Sequence, residues 1–423
     1  MNRKIAVVGG GAAGMMAAIQ AAKAGARTDL YEKNDRVGKK LLATGNGKCN
    51  FSNRNMNRDA YYGSAVSFYE ELFPLFGVRE TIDFFGQQGM LIKERNGYLY
   101  PLSEQAATVL DILRFTLEQY DIGVHTDCNI TKIRQEKENG GFRLVCGGKK
   151  VRFYDAVILA CGGMAAPKTG SDGNGYKLAK SFGHRVTDVV PALVQLRCQG
   201  DFWKSVAGVR TEAVVTLLVE RRHRKTVRGE LQLTDYGISG IPVFQFSREA
   251  AYALLYRKSV SVEIDFLPDY DEAAYERFWS QRFRRLCTKG RRAGTPDGQN
   301  RQTLEQFLTG ISNKKINQLI IKAAGCRPSD EVDTLPEEKR QKLAALYRKF
   351  PVTVSGSNGF EQAQVSAGGI PAEELTNRLE SKLIPGLYFA GEIVDMDGIC
   401  GGYNLQWAWT SGAIAGLAAA GKG

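Results

Sequence analysis

The 423-residue sequence predicts an α/β protein whose Rossmann-like dinucleotide-binding domain is assembled from both ends of the chain and interrupted by a β-rich and a helical segment. Three observations predict it. An apolar run, Ile5 to Val8, leads into a GxGxxG turn at Gly9–Gly14 and then into a stretch of helix formers. A second buried-strand pattern, Asp155 to Gly163, ends in small residues, and a third, Gly386 to Glu392, lies near the C-terminus. The length fits two or three domains. Hydrophobic residues at 43% and charged residues at 24% are ordinary globular values, which excludes a disordered, collagen-like or coiled-coil chain.

The first unit justifies itself residue by residue. Ile5-Ala6-Val7-Val8 suits a buried parallel strand. Ala12 to Ala24 reads as a helix stopped by Gly25, and Thr28 to Glu32 as a second strand that closes in an acid. Gly9 permits the tight turn, Gly11 lets the backbone approach a pyrophosphate, and Gly14 lets helix and strand pack closely. The helix N-terminus offers unpaired N–H groups to phosphate oxygens. Glu32 stands about 20 residues on, where such folds place the acid that accepts ribose hydroxyls. The candidate contacts here are Gly9, Gly11, Ala12, Ala13, Gly14, Glu32 and Lys33. This unit alone leaves NAD and FAD open.

Residues 38–50, GKKLLATGNGKCN, follow the second strand directly. An NAD-dehydrogenase unit would return to helix here, and this stretch does not read as one. Its candidate contacts are Lys40, Leu41, Gly45, Asn46, Gly47 and Asn50, with the lysine available to a diphosphate.

On these segments, together with 160–184 (ACGGMAAPKTGSDGNGYKLAKSFGH), 233–248 (LTDYGISGIPVFQFSR) and 381–416 (SKLIPGLYFAGEIVDMDGICGGYNLQWAWTSGAIAG), the sequence resembles the aminoacetone-oxidase-like FAD-binding oxidoreductases, the family that also contains bile-acid and steroid ene-reductases. The resemblance implies non-covalent FAD and further contacts from Ile130, Ala160, Cys161, Gly162, Gly391, Glu392, Gly401, Gly402, Tyr403 and Asn404. It implies an FAD domain over 1–190 and 355–423, a barrel-like β-rich domain over 191–270 and 345–354, and a helical insert over 271–344 that would roof the flavin. No second GxGxxG occurs, so NAD(P)H would bind only transiently as reductant.

Tyr403 to Ala420 reads as a closing helix whose N-terminal dipole would favour the negative charge that reduction places on a flavin. Asn404 and Gln406 are positioned to bond the isoalloxazine or ribityl. Trp407 and Trp409, two apart on a helix, are not expected to face one core. Ene-reduction needs a proton donor opposite the hydride. Tyr236, in Thr234-Asp235-Tyr236-Gly237-Ile238-Ser239-Gly240, is the first candidate, and Tyr403 and Cys400 are alternatives. His184 reads as a helix C-terminal histidine facing the dipole, and Arg221 to Lys225 as a solvated hairpin turn.

The eight cysteines, at 49, 128, 146, 161, 198, 287, 326 and 400, include no CxxC pair and read as reduced thiols of a cytoplasmic protein. No metal site is expected from the three histidines. No apolar run reaches the roughly 18 residues of a membrane span. The net charge of +12 suits an anionic partner. No basic strand interleaved with aromatics is visible, so the expected partner is a small-molecule substrate rather than nucleic acid. The oxidase alternative, an amine or aminoketone oxidase that uses oxygen, remains open, as does an RNA-associated flavoprotein. The oligomeric state is not legible.

Overall fold

The computed structural model describes residues 2–136, 140–147, 149–289 and 302–422. The chain divides into two compact units, Met1–Ala192 with Gly359–Gly423, and Leu193–Asn358. The first begins with β1 (Lys4–Val8), α1 (Ala12–Lys23) and β2 (Arg27–Tyr31). Gly25, at φ 93°, ends α1 in the left-handed conformation that glycine adopts without strain. The long helix α2 (Ala106–Gln119) precedes β3 (Gly123–His125). An antiparallel meander follows, β4 (Ile130–Gln135), β5 (Phe142–Cys146) and β6 (Lys149–Tyr154), and then β7 (Ala156–Leu159). Cys128 and Cys146 are joined by a disulfide across Cα atoms 5.6 Å apart, which corrects the expectation that every thiol is free. Local spacing held no sign of it, because the meander, not the sequence interval, brings the two residues together.

The second unit is a closed antiparallel barrel with helices. Its strands are β8 (Leu196–Cys198), β9 (Arg210–Val219), β10 (Arg222–Leu233) and β11 (Gly237–Gly240); after α3 (Ile241–Leu255) comes β12 (Val260–Asp265). The helices α4 (Glu272–Lys289), α5 (Leu304–Leu308), α6 (Lys314–Ala323) and α7 (Glu337–Arg348) precede the last strand, β13 (Phe350–Ser357). The barrel order is β8-β11-β10-β9-β12-β13. Alternation places Ala213, Val215, Leu217 and Val219 of β9 and Val260, Val262 and Ile264 of β12 inside. Helices and barrel share one core that includes Trp279, Phe307, Ile320 and Tyr347. Residues 237–240, directly after Tyr236, form a barrel strand. Gly240 permits this at φ 103°, where a Cβ would lie 2.3 Å from the Glu230 carbonyl oxygen.

The chain then returns to the first unit with β14 (Leu387–Phe389) and α8 (Tyr403–Ala419). The five-stranded sheet, in the order β14-β7-β1-β2-β3, is parallel throughout, so the two ends of the chain meet in one sheet. Helix α8 lies against α1 so closely that a Cβ on Gly412 would sit 2.4 Å from the Ala13 carbonyl oxygen, and one on Gly416 2.3 Å from that of Ala17. Trp407 and Trp409 are both buried in the same core, contrary to expectation. The helix is enclosed on every side: the Trp407 indole donates to the Gly391 carbonyl (3.2 Å) and that of Trp409 to the Phe51 carbonyl (2.9 Å). Among the described residues no helix is long and apolar enough to cross a membrane.

Candidate functional site

The glycines of the first turn are not equivalent. A Cβ on Gly9 would lie 2.4 Å from the Ala160 carbonyl oxygen, and one on Gly14 1.8 Å from the Gly9 carbonyl oxygen, so packing alone demands glycine at both. Gly11 has nothing within 4 Å of the corresponding point and an ordinary negative φ. It borders open space at the start of α1, where the backbone N–H groups are unpaired. Ala12 and Ala13 continue that first turn, and Ala13 is buried.

Glu32 is buried beside this turn. Its Oε2 accepts the Gly10 N–H (2.8 Å), and its Oε1 accepts the backbone N–H (2.9 Å) and side-chain amide (2.7 Å) of Asn34. Asn34 Nδ2 also donates to the Thr169 carbonyl (3.1 Å), which holds the carboxylate in place. The sequence reading missed Asn34, because spacing does not say which nearby amide turns back on the acid. Lys33 pairs with Asp172 at 2.7 Å. Asp172 lies in the GSDG run, next to Ser171, a buried hydroxyl without a hydrogen-bond partner among the described residues that stands 2.7 Å from where a Gly162 Cβ would be.

The 38–50 segment forms a single helical turn, Lys39–Leu42, and a tight bend in which Gly45, Asn46 and Gly47 have positive φ. Leu41 and Asn50 are buried. Asn50 Oδ1 finds no hydrogen-bond partner among the described residues, and a Cβ on Gly402 would come within 2.9 Å of it. Lys40 meets Glu392 at 2.7 Å; the other Glu392 oxygen accepts the Ser366 N–H (2.8 Å) and hydroxyl (2.7 Å). These two predicted contacts are therefore joined to each other.

Ala160, Cys161 and Gly162 follow β7 at the edge of the turn, and burial pushes the Cys161 thiol up to about 12. Ile130 opens β4, and its carbonyl accepts from Asn174 Nδ2 (3.2 Å). Gly391, at φ 77°, donates its N–H to Ser411 (2.8 Å). Gly401 and Gly402 are also left-handed, at φ 125° and 92°, and a Cβ on Gly402 would lie 2.5 Å from the Ser52 carbonyl oxygen.

At the start of α8 several predicted contacts serve the protein itself. The Asn404 amide closes on one residue: Gly398 N–H donates to its Oδ1 (2.8 Å) and its Nδ2 donates to the Gly398 carbonyl (2.8 Å). Gln406 is fully buried, accepting from Ser52 (2.6 Å) and donating to Thr81 (2.9 Å). Neither side chain keeps the free amide expected of it. The Tyr403 hydroxyl donates to the Asn55 carbonyl at 3.3 Å, and burial, then the neighbouring Tyr98, raises its phenol above the usual range. Burial likewise raises the Cys400 thiol. Tyr236 belongs to the barrel unit, where its hydroxyl accepts from Asn358 Nδ2 (3.0 Å) and the Arg197 guanidinium lies 5.5 Å from its ring centroid. His184 follows the helix Asn174–Ser181, where its N–H donates to the Ala179 carbonyl (3.3 Å), and its ring is clamped between Glu374 (2.7 Å) and Ser381 (2.7 Å).

The glycine turn, the braced acid, the open space at Gly11 and the orphaned Asn50 and Ser171 oxygens fit a dinucleotide with hydroxyl and phosphate donors and acceptors. Fold and site define an FAD-dependent oxidoreductase. The description "HI0933-like protein Rossmann domain" matches residues 3–418, and the chain belongs to this family. It is 40% identical over 423 residues, 99% of both chains, to the 3-dehydro-bile acid delta(4,6)-reductase of Clostridium scindens. It is 28% identical over 410 residues, 96% of this chain and 95% of the relative, to the ribosomal RNA dihydrouridine synthase of Escherichia coli. The 3-ketosteroid delta1-dehydrogenase of Sterolibacterium denitrificans shares the fold at a TM-score of 0.51 and 13% identity, with 100% of both chains covered.

Proposed function

We propose that the protein reduces a C=C bond conjugated to a carbonyl in a 3-oxo-steroid or bile-acid-like substrate, with NAD(P)H as the source of electrons. The 40% identity, end to end, to a protein named as a bile-acid delta(4,6)-reductase carries this reading. The reaction adds a hydride to one alkene carbon and a proton to the other, and NAD(P)H leaves as NAD(P)+. FAD, when bound, supplies the two-electron redox chemistry. Glu32, braced by Gly10 and Asn34, accepts ribose hydroxyls, and the open backbone at Gly11 receives the pyrophosphate. Tyr236 takes an N–H from Asn358, which leaves its own O–H to donate the proton or to polarise the carbonyl.

Anaerobic stopped-flow mixing with NADH or NADPH tests the reading. Bleaching of the flavin, followed by reoxidation on adding a 3-oxo-Δ4 bile acid, is expected. If neither nicotinamide reduces the flavin, while an aminoketone does and oxygen reoxidises it, the protein is the oxidase instead.

A second reading is favoured by the relative named as a ribosomal RNA dihydrouridine synthase. Dihydrouridine is uridine with two hydrogens added across a C=C bond conjugated to a carbonyl, so the same bond type is reduced on a different carrier. Mass spectrometry for dihydrouridine after incubation with uridine-containing ribosomal RNA and NAD(P)H separates the two.

A further inference from the structure

We propose that Cys128 and Cys146 form a reversible thiol–disulfide site through which a dithiol reductant weakens the hold on the flavin nucleotide. The coupling rests on Glu32 as the ribose acceptor; the redox chemistry of the pair does not.

The chain between β3 and β4 runs alongside the acid. Glu32 N–H donates to the His125 carbonyl, Cys128 N–H to the Glu32 carbonyl and Asp127 N–H to the Asn34 carbonyl, each at 2.9 Å. Residues 125–128 therefore hold the backbone of both Glu32 and Asn34, whose amide braces the carboxylate. The loop has little of its own to keep it there. Thr126, Asp127 and Asn129 are exposed and Cys128 is half-buried. Asp127 stands in the left-handed region at φ 50°, which a residue with a side chain occupies at a cost. A segment that buries no whole side chain gains little from the hydrophobic effect, so its anchors decide its position. One anchor is the Asn174 amide, which donates to the Ile130 carbonyl (3.2 Å) and to Asn129 Oδ1 (3.4 Å). Asn174 N–H in turn donates to Asp172 (3.1 Å), the partner of Lys33.

The covalent anchor is the disulfide. Cys146 closes β5, the central strand of the meander, and its Cα lies 5.6 Å from that of Cys128. Ile130 pairs with Cys146, with a register shift between Ile130 and Lys132, so the ladder is irregular where the crosslink lies. While the bond is intact the loop is fastened to a three-stranded sheet. Once it is reduced, the loop depends on two hydrogen bonds to the 32–34 backbone and on the Asn174 amide. Both cysteines are half-buried, and Asp127, Asn129 and Gly147 beside them are exposed, which gives a small reductant a path. Reduction breaks one S–S bond and makes two S–H bonds. The two electrons and two protons come from the dithiol, which leaves as its own disulfide. Coupling between sites is reciprocal, so if reduction weakens FAD binding, bound FAD resists reduction by the same factor.

Two measurements on the full chain test this. In the first, the FAD-loaded chain, oxidised with excess glutathione disulfide, is diluted with or without dithiothreitol, and released FAD is read by its fluorescence. The reduced chain is expected to bind FAD roughly tenfold more weakly, an ordinary size for coupling between two sites. In the second, the chain is equilibrated in mixtures of dithiothreitol and its oxidised form, then alkylated and mapped by peptide mass. Mapping separates the pair from the free thiols Cys49, Cys161, Cys198, Cys326 and Cys400. Cys128 and Cys146 should become reactive together, and FAD should move their midpoint by the factor found in the first measurement. The double variant Cys128→Ser, Cys146→Ser should bind FAD as weakly as the reduced parent and ignore dithiothreitol. Hydrogen exchange at the Glu32 and Cys128 amides should quicken on reduction. Glu32→Ala separates the two ideas: full FAD affinity in that variant would remove the ribose contact. Equal FAD affinity in the oxidised and reduced parent, or two alkylatable thiols after glutathione disulfide, would overturn the switch.

Discussion

Gly11 and Gly14 stand three residues apart and answer to different demands. Gly14 would collide with the Gly9 carbonyl if it carried a side chain, whereas a Cβ on Gly11 would meet no atom of the described residues within 4 Å. Gly14→Ala should therefore unfold the turn, while Gly11→Val should give a folded but colourless protein, checked by circular dichroism beside the visible spectrum. A fully yellow Gly11→Val protein would remove the pyrophosphate from this place. Tyr236→Phe should keep the flavin and lower turnover by about 10²–10⁴-fold, the usual worth of a positioned acid; unchanged turnover takes Tyr236 out of the chemistry. The residue-scale reading from sequence matches the backbone where a motif fixes it, as at the Gly9 turn and the Gly14 packing. It did not foresee which of several reachable partners a side-chain amide takes. Asn404 and Gln406 carry the right groups for a cofactor, yet both are consumed by loops that only the folded chain brings near.

Among the elements, α8 shows why periodicity misled. The argument that Trp407 and Trp409 cannot share a core assumes a helix with one wet face, and this helix has none. Gly416→Val should force α1 and α8 apart and cost at least the roughly 1–3 kcal/mol typical of overpacking; a thermal melt should show a midpoint several degrees lower, with weaker flavin retention. The clamp of His184 and Arg185 on Glu374 yields a pH prediction. Burial raises the Glu374 carboxyl, but hydrogen bonds from Arg185 and His184 outweigh it and leave the group below its ordinary value. A depressed carboxyl stabilises the fold above its unfolded pKa, about 4.3, and loses that contribution as pH falls through the lower folded value. Urea midpoints from pH 7 to pH 3 should show the gap between the parent and Glu374→Gln closing on the acid side. A gap that stays constant would mean the pair contributes no charge-dependent stability.

For the whole molecule, the assembly of one sheet from both chain ends was legible because β1, β7 and β14 are short apolar runs that only a buried parallel sheet accommodates. The barrel strands were legible in part, through the alternation of β9 and β12, but closure was not, since the pairing of β13 with β8 depends on no local signal. Because the proposed FAD contacts all belong to one unit, removing the flavin should lower the thermal midpoint, and adding it back at 100 times its Kd should return about 2.7 kcal/mol. A midpoint indifferent to flavin would contradict the proposed site.

The close seating of α8 on α1 bears on how the protein is made. The ribosome delivers α8 only after the meander and the whole barrel unit that separate it from α1, so the nucleotide cradle waits through their synthesis without the helix that backs it. At about 5–20 residues per second that interval is tens of seconds, during which a bare glycine turn and an unclosed sheet edge are exposed. Prosthetic-group loading is therefore a late event, and nascent chains stalled before the closing helix would emerge empty and in need of a chaperone's shelter.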